Sequence, residues 1–179
     1  HLNDDGRGER IRAGLRIVIV GPPNAGKSSL LNWLVKREAA IVSDIPGTTR
    51  DVIEAHLDIG GYAVTVVDTA GLRTAQDKIE HEGIRRTQIQ AADADIKIAV
   101  LDGANYPPRD ADTHALVDDN TLIAVNKADL VRQNTPSKNG DVACFISVTK
   151  NQGMEDFLVR LKTMVQARVD ISADAPISR

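Results

Sequence analysis

Residues 16–28 read RIVIVGPPNAGKS, an apolar run that passes through a glycine-rich turn into a helical segment. The β-branched stretch 16–21 is typical of a strand buried on both faces. Segment 27–36 has apolar residues at helical spacing, four of them on one side: Leu30, Leu31, Leu34 and Val35. Residues 21–28 fit G-x-x-x-x-G-K-[ST], whose backbone N–H groups and helix N-terminus point at phosphate oxygens. The stretch therefore predicts a phosphate-binding loop in an α/β fold.

Five further segments are predicted strands: 51–59, 62–68, 96–102, 121–126 and 142–147. Segment 51–59 alternates polar and apolar residues, and Gly60-Gly61 turns it back into 62–68, which predicts an antiparallel hairpin. Helical spacing recurs over 83–92 and 154–165. Because strands alternate with helices, we expect an α/β domain of three layers. Its sheet is a mostly parallel six-stranded sheet with one antiparallel hairpin at the edge.

The composition excludes several classes of protein. The 179 residues carry a net charge of −3 and only 3% aromatic residues, so nucleic acid cannot supply the main affinity of this chain. Cys144 is the only cysteine, which rules out an internal disulfide and a multi-cysteine zinc site, and its apolar surroundings predict a buried, inert thiol. No apolar run reaches the roughly 20 residues that span a bilayer. No signal peptide opens the chain, so we expect a cytoplasmic protein without membrane contact.

Both ends of the chain are polar. We interpret residues 1–14 and 169–179 as linkers or the edges of neighbouring segments, and residues 15–168 as one nucleotide-binding domain. We therefore expect the chain to be a domain from a longer protein.

A second motif, Asp68-Thr-Ala-Gly71, ends a hydrophobic strand. A carboxylate there can reach Mg²⁺ (magnesium) through a water, while the Ser28 hydroxyl binds the ion. Lys27 offers a point charge to the β- and γ-phosphates, and Gly71 lacks a Cβ, so its backbone can approach the γ-phosphate. The motif therefore predicts a triphosphate site with a magnesium ion.

A third motif, Asn126-Lys-Ala-Asp129, follows another apolar strand. The Asp129 carboxylate can accept hydrogen bonds from N1 and the exocyclic amine of guanine, and adenine has no such donor pair. The motif therefore predicts guanine specificity. The later loop at Ser147 and Val148 is expected to close over the base with a backbone N–H to the guanine oxygen. Plain packing at a strand end is the alternative.

The loop 43–51, SDIPGTTRD, joins the first helix to the second strand. Two hydroxyls after a Pro-Gly turn could become ordered around Mg²⁺ and the γ-phosphate, with Thr49 as the better candidate ligand. The alternative is an ordinary surface turn. Arg50 and Arg73 could each approach a phosphate or remain solvated.

The stretches GPPNAGKSSLLN, IPGTTRD, DTAGLR and NKAD together resemble the TrmE-Era-EngA-like family of P-loop GTPases. Segment 77–84, DKIEHEGI, is similar to the MnmE (TrmE) family of tRNA-modification GTPases within it. The resemblance covers residues 14–168 and implies a P-loop GTPase fold that hydrolyses GTP to GDP and phosphate. Two positions depart from the pattern: Val148 replaces the usual alanine, and Ser43 replaces the usual threonine.

Leu72 stands where Ras-like enzymes carry the glutamine that orients the attacking water, so another group must take that role. The resemblance implies Glu80, with Lys27 and Gly71 completing the catalytic set. It also implies a K⁺ (potassium) ion beside the phosphates, whose ligands would be Asn24, Ser43, Ile45 and Thr48. The nucleotide-binding set that it implies is Asn24, Ala25, Gly26, Lys27, Ser28, Ser29, Thr48, Thr49, Asp68, Gly71, Asn126, Lys127, Asp129, Ser147 and Val148.

The resemblance also implies partners. The domain would bind GTP and GDP and form a homodimer through its G domains. Its parent protein would modify wobble uridine with an MnmG-type partner enzyme, and other parts of the parent would contact tRNA. The alternatives are a G domain of an Era- or EngA-type ribosome-assembly GTPase, and a nucleotide-gated dimerisation module whose hydrolysis is incidental.

Overall fold

The computed structural model describes residues 14–38, 54–69, 80–107, 111–131 and 143–174, with the backbone alone at 80–82. Its strands are β1 (Leu15–Val20), β2 (Glu54–Ile59), β3 (Tyr62–Asp68), β4 (Ile96–Asp102), β5 (Thr121–Asn126) and β6 (Cys144–Phe145). Its helices are α1 (Lys27–Arg37), α2 (Glu80–Ala92), α3 (Ala111–Ala115) and α4 (Met154–Ala173). Short 3-10 turns occupy Gly103–Asn105 and Ala128–Leu130.

The sheet has the order β2-β3-β1-β4-β5-β6, and only the pair β2–β3 is antiparallel. This confirms the predicted α/β class and the hairpin at the edge. Ile19 lies opposite Asp68 of β3, and Asp102 lies opposite Asn126 of β5. Parallel pairing therefore brings the polar residues that end three strands to one edge of the sheet, where α/β proteins bind ligands.

The two faces of the sheet pack in separate layers. Ile17 and Ile19 of β1 belong to a core shared with α1 and α4, whereas Val18 and Val20 pack with Ala91 of α2. All five residues are at most 4% exposed. Because side chains alternate along a strand, burial of both faces requires the continuous β-branched run seen in the sequence. Among the predicted apolar positions of α1, Leu30, Leu31 and Leu34 are buried and Val35 is half-buried.

Helix α4 is longer than the sequence pattern predicts. It begins at the predicted residue but runs to Ala173 instead of ending at residue 165. Arg168 donates from Nε to the Asp95 carbonyl at 3.1 Å, and Gln166 donates to Asp170 one turn later. These bonds hold a polar segment in helical form without the apolar periodicity on which the prediction depended.

Two other boundaries differ from the prediction. Helix α2 begins at Glu80, and Gly83, taken as its start, lies inside it, because tertiary burial outweighs the low helix propensity of glycine. Residue 142 of the predicted strand 142–147 lies outside the described residues, and among the others strand β6 contains only Cys144–Phe145. Ser147 exchanges backbone hydrogen bonds with Gln152, which turns the chain away from the sheet. As predicted, Cys144 is buried, and burial is the main cause that raises the pKa of its thiol.

Candidate functional site

The phosphate loop depends on glycine at the N-cap of α1. Gly26 has φ 103°, and a Cβ there would lie 2.1 Å from Nδ2 of Asn126. Both the backbone conformation and the available space therefore require glycine. Gly26 also has no side chain to accept the first N–H groups of α1, and no acidic residue lies in the first turn. The N-terminus of this helix is consequently suited to bind an anion.

Lys27 holds a positive charge against the same loop. Its side chain is almost fully buried, and Nζ donates to the carbonyls of Gly21 and Pro22, each at 2.7 Å. The ammonium therefore lies against the phosphate loop. Ser29, in the first turn of α1, is exposed.

The structure brings Ser28 and Asp68 together across 40 residues of sequence. The Ser28 hydroxyl donates to Oδ2 of Asp68 at 2.7 Å, and Asp68 is 1% exposed. The next residue, Thr69, donates from Oγ1 to the carbonyl of Ile19 at 2.8 Å, which ties the end of β3 to β1. A hydroxyl and a carboxylate are the hard oxygen donors that Mg²⁺ prefers, so this pair fits the ion that the sequence predicts.

Asn126 joins the phosphate loop to the loop predicted to close over the base. Its Nδ2 donates to the Ala25 carbonyl at 2.9 Å, and its Oδ1 accepts from the Val148 N–H at 3.2 Å. The N–H predicted to meet the guanine oxygen therefore has a protein partner in this structure. Ser147 is fully buried, and its Oγ lies 3.5 Å from Oγ1 of Thr149.

Lys127 connects the phosphate loop to the end of β4. Its backbone is left-handed, with φ 58°, and its Nζ donates to the Asn24 carbonyl and to Oδ2 of Asp102, each at 2.8 Å. Burial alone would raise the pKa of Asp102, but the hydrogen bonds from Lys127 and the Ala104 N–H, with the lysine charge, hold it below its ordinary value. Asp129 follows on a 3-10 turn, where Oδ2 lies 3.7 Å from Nζ of Lys150.

Sequence reasoning missed Asp102. The signal was present, because Asp102 ends an apolar strand and precedes a glycine. Asp68 has the same kind of position, and it was identified because the DTAG motif begins there.

Several predicted site residues lie outside the described part of the chain: Ser43, Ile45, Thr48, Thr49 and Gly71. The backbone of Glu80 begins α2, and its side chain is likewise outside the description. Within the described residues, no group of three or more His, Cys, Asp or Glu side chains has the arrangement of a metal site. No helix in that same part of the chain combines the length and apolar character needed to cross a bilayer.

Residues 16–127, more than half of the chain, match the family described as 50S ribosome-binding GTPase. The chain belongs to this GTPase family. This GTPase domain is therefore a GTP-hydrolysing enzyme that binds GTP and GDP, in a family that generally uses Mg²⁺.

Curated relatives of this GTPase domain carry the name tRNA modification GTPase MnmE. The domain is 48% identical over 180 residues to the protein of Paramagnetospirillum magneticum, a match that covers 100% of this chain and 41% of the relative. It is 52% identical over 136 residues to the protein of Rickettsia bellii, covering 75% of this chain and 31% of the relative. The chain thus spans well under half the length of these relatives.

Solved structures show the same fold. The FeoB G-domain of Methanococcus jannaschii superimposes with a TM-score of 0.60 at 23% identity, covering 85% of this chain and 98% of that one. At this identity the likeness shows the fold alone, and the chemistry of the domain follows from its own residues and its family.

Proposed function

We propose that this chain is the GTP-binding and GTP-hydrolysing domain of a cytoplasmic tRNA-modification GTPase that acts on wobble uridine. The observation that carries the proposal is the Asn126 junction, which places the phosphate loop and the predicted base loop beside each other at one edge of the sheet. A single ligand with a triphosphate at one end and a base at the other fits that arrangement. The curated relatives support the tRNA-modification role of the longer protein.

The phosphate end of the site stabilises negative charge. The N–H groups at the start of α1 and the ammonium of Lys27 would contact the β- and γ-phosphates. Ser28 and Thr49 would bind Mg²⁺ directly, and Asp68 would do so through a water. When bound, the ion would supply positive charge that stabilises the negative charge of the phosphates.

Asp129 would recognise the base. Its carboxylate accepts the two N–H groups on the guanine edge, and an adenine would leave it without donors. For Val148 to serve the guanine oxygen as well, its N–H would have to be shared with Asn126, to which it already donates.

Hydrolysis requires a group that orients the attacking water. Leu72 cannot take this role, because its side chain forms no hydrogen bonds. We assign this role to Glu80, with Lys27 and Gly71 beside the transferring phosphate. A K⁺ ion held by the backbone and side-chain oxygens of Asn24, Ser43, Ile45 and Thr48 would supply the positive charge that an arginine supplies in other GTPases. Dimerisation of two such domains in the presence of nucleotide would complete the site. The resemblance to the MnmE family supports these roles.

The longer protein would act with an MnmG-type partner and contact tRNA through other segments. In this proposal residues 15–168 form the domain, and residues 1–14 and 169–179 link it to its surroundings, with helix α4 continuing into the second link as far as Ala173. A second candidate, an Era- or EngA-type ribosome-assembly GTPase, is favoured by the match to a family described as 50S ribosome-binding GTPase.

Steady-state GTP hydrolysis in KCl and in NaCl at equal ionic strength tests the mechanism. We expect stimulation by K⁺ that grows with protein concentration, since the hydrolytic step of the proposal needs the cation and a second copy. Equal rates in both salts at all concentrations would contradict the roles of K⁺ and dimerisation and leave a simple GTPase.

A chimera tests the biological role. This chain would replace the G domain of a curated relative in cells that lack the tRNA-modification GTPase, and mass spectrometry of tRNA nucleosides would measure the wobble modification. Restored modification is expected, with the Asp129→Asn chimera as the inactive control. A chimera that folds and hydrolyses GTP but restores nothing would favour the ribosome-assembly alternative.

A further inference from the structure

Asp102 is held rigidly at the end of β4. Its Oδ1 accepts from the Ala104 N–H at 2.9 Å, which closes the 3-10 turn Gly103–Asn105. That turn packs closely against the base-recognition segment, since a Cβ on Gly103 would lie 2.6 Å from the Asn126 carbonyl and 2.7 Å from the Lys127 carbonyl. The side chain of Asp102 is only 16% exposed. Its second oxygen is therefore presented in one fixed place, where Nζ of Lys127 meets it at 2.8 Å.

Lys127 depends on this partner for its direction. A lysine side chain has four flexible bonds and loses conformational entropy when it is held in one geometry. Without Asp102, the remaining described partner of Nζ is the neutral carbonyl of Asn24. The lysine side chain is 35% exposed, so water competes for the ammonium. A charged acceptor gives the stronger hydrogen bond, and it keeps the ammonium over the phosphate loop.

The Lys127 side chain spans the gap between the Asn126–Asp129 segment and the phosphate loop. Its Cα lies in the Asn126–Asp129 segment, and its Nζ reaches Asn24 of the phosphate loop. A nucleotide that contacts both the Asn126–Asp129 segment and the phosphate loop must lie against this side chain. Asn24 itself has φ 63°, an unfavourable conformation for a residue with a Cβ, and the bond from Lys127 to its carbonyl stabilises that turn.

We propose that Asp102 is a positioning residue for guanine-nucleotide binding, which acts through Lys127 and does not itself touch the nucleotide. It holds the lysine side chain across the site before the ligand arrives. The conformational entropy of that side chain is then lost before the nucleotide binds and does not reduce the binding affinity. The proposal goes beyond the proposed function, and it does not depend on K⁺ or on dimerisation.

A matched control lies at the opposite end of β4, where Lys97 pairs with Asp118 of the segment that precedes β5. Oδ2 of Asp118 accepts from Nζ of Lys97 at 2.6 Å, and its Oδ1 accepts the N–H of Asn120 two residues later at 2.9 Å. Asp102 makes the same two kinds of bond, to Lys127 and to the N–H two residues later. Changing either aspartate to asparagine removes one carboxylate charge from a lysine pair, but only one of the pairs lies at the site.

The experiment measures release of a fluorescent GDP analogue from the purified domain by stopped flow, with thermal unfolding of each variant alongside. Asp102→Asn is expected to speed release of the GDP analogue about tenfold. This is the lower end of the effect expected for the loss of one charge-assisted hydrogen bond, because Lys127 keeps its bond to Asn24. Asp118→Asn is expected to change release less than twofold. In a Lys127→Ala background, Asp102→Asn should add nothing, because the residue through which it acts is gone.

Two results would overturn the proposal. One is equal acceleration by Asp102→Asn and Asp118→Asn, which would assign Asp102 to general stability. The other is an undiminished effect of Asp102→Asn when Lys127 is already alanine, which would show that it acts by another route.

Discussion

Asn126→Ala should separate the phosphate loop from the base loop and destabilise the whole domain. Asn126 is 5% exposed, and the change removes a 2.9 Å bond to the Ala25 carbonyl and a 3.2 Å bond from the Val148 N–H. Each buried group left without a partner costs about 1–3 kcal/mol. Ala25 is fully buried, whereas Val148 is half-buried and can regain part of its bond from water. We therefore expect a loss of about 2–4 kcal/mol in the free energy of unfolding.

The loss is large against the total stability of about 5–15 kcal/mol typical of domains, and it corresponds to a melting temperature lower by about 5–15 °C. Urea denaturation followed by tryptophan fluorescence measures it, because Trp33 is the only tryptophan and its Nε1 donates to Asn151 in the neighbouring loop at 3.2 Å. Asn105→Ala, at an exposed position, is the control. If the two variants unfold within about 0.5 kcal/mol of each other, the junction does not stabilise the domain and the reasoning is wrong.

Four further outcomes are expected. Gly26→Ala should abolish nucleotide binding, because its Cβ would lie 2.1 Å from Asn126, and calorimetry that finds normal GDP affinity would contradict the account of the phosphate loop. Asp129→Asn should weaken GTP binding and improve binding of xanthosine triphosphate in a competition assay, and unchanged GTP affinity would contradict guanine recognition by this residue. Glu80→Ala should abolish hydrolysis while nucleotide binding persists, and a wild-type rate of phosphate release would remove its catalytic assignment. Burial alone would raise the pKa of Asp118, but hydrogen bonds from Lys97 and neighbouring groups outweigh burial and lower this pKa below its ordinary value. The ionised carboxylate therefore stabilises the fold above about pH 4, and that stabilisation is lost as the pH falls through the pKa of the folded state. Acid unfolding followed by circular dichroism should therefore show a weaker pH dependence below about pH 4 in Asp118→Asn, and identical acid transitions would argue against the ion pair.

The strands 62–68, 96–102 and 121–126 were predicted to the residue, because their signals are local. Each is a largely apolar run that contains several β-branched residues and ends at an aspartate or an asparagine. The start of α1 at Lys27 is also local, since a glycine N-cap precedes the first apolar turn. The phosphate-loop and guanine-recognition motifs were identified for the same reason.

The ends of α4 and β6 could not be predicted in this way. Helix α4 continues to Ala173 partly because Arg168 reaches the Asp95 carbonyl, a contact across 73 residues. Strand β6 stops at Phe145 because Ser147 pairs with Gln152 and not with the sheet. The first contact is distant in sequence and the second closes a short turn, and neither belongs to the pattern of apolar residues on which the predicted boundaries depended.

The sequence by itself determined the fold class, the six strands in order and the types of residue that meet phosphate, magnesium and guanine. Only the tertiary structure decided how those residues are connected. The bonds from Asn126 to Ala25 and from Lys127 to Asp102 join residues 101 and 25 positions apart. They exist because parallel pairing of β1, β4 and β5 brings the ends of separate strands to one edge, where side chains with no sequence relation come within hydrogen-bonding distance.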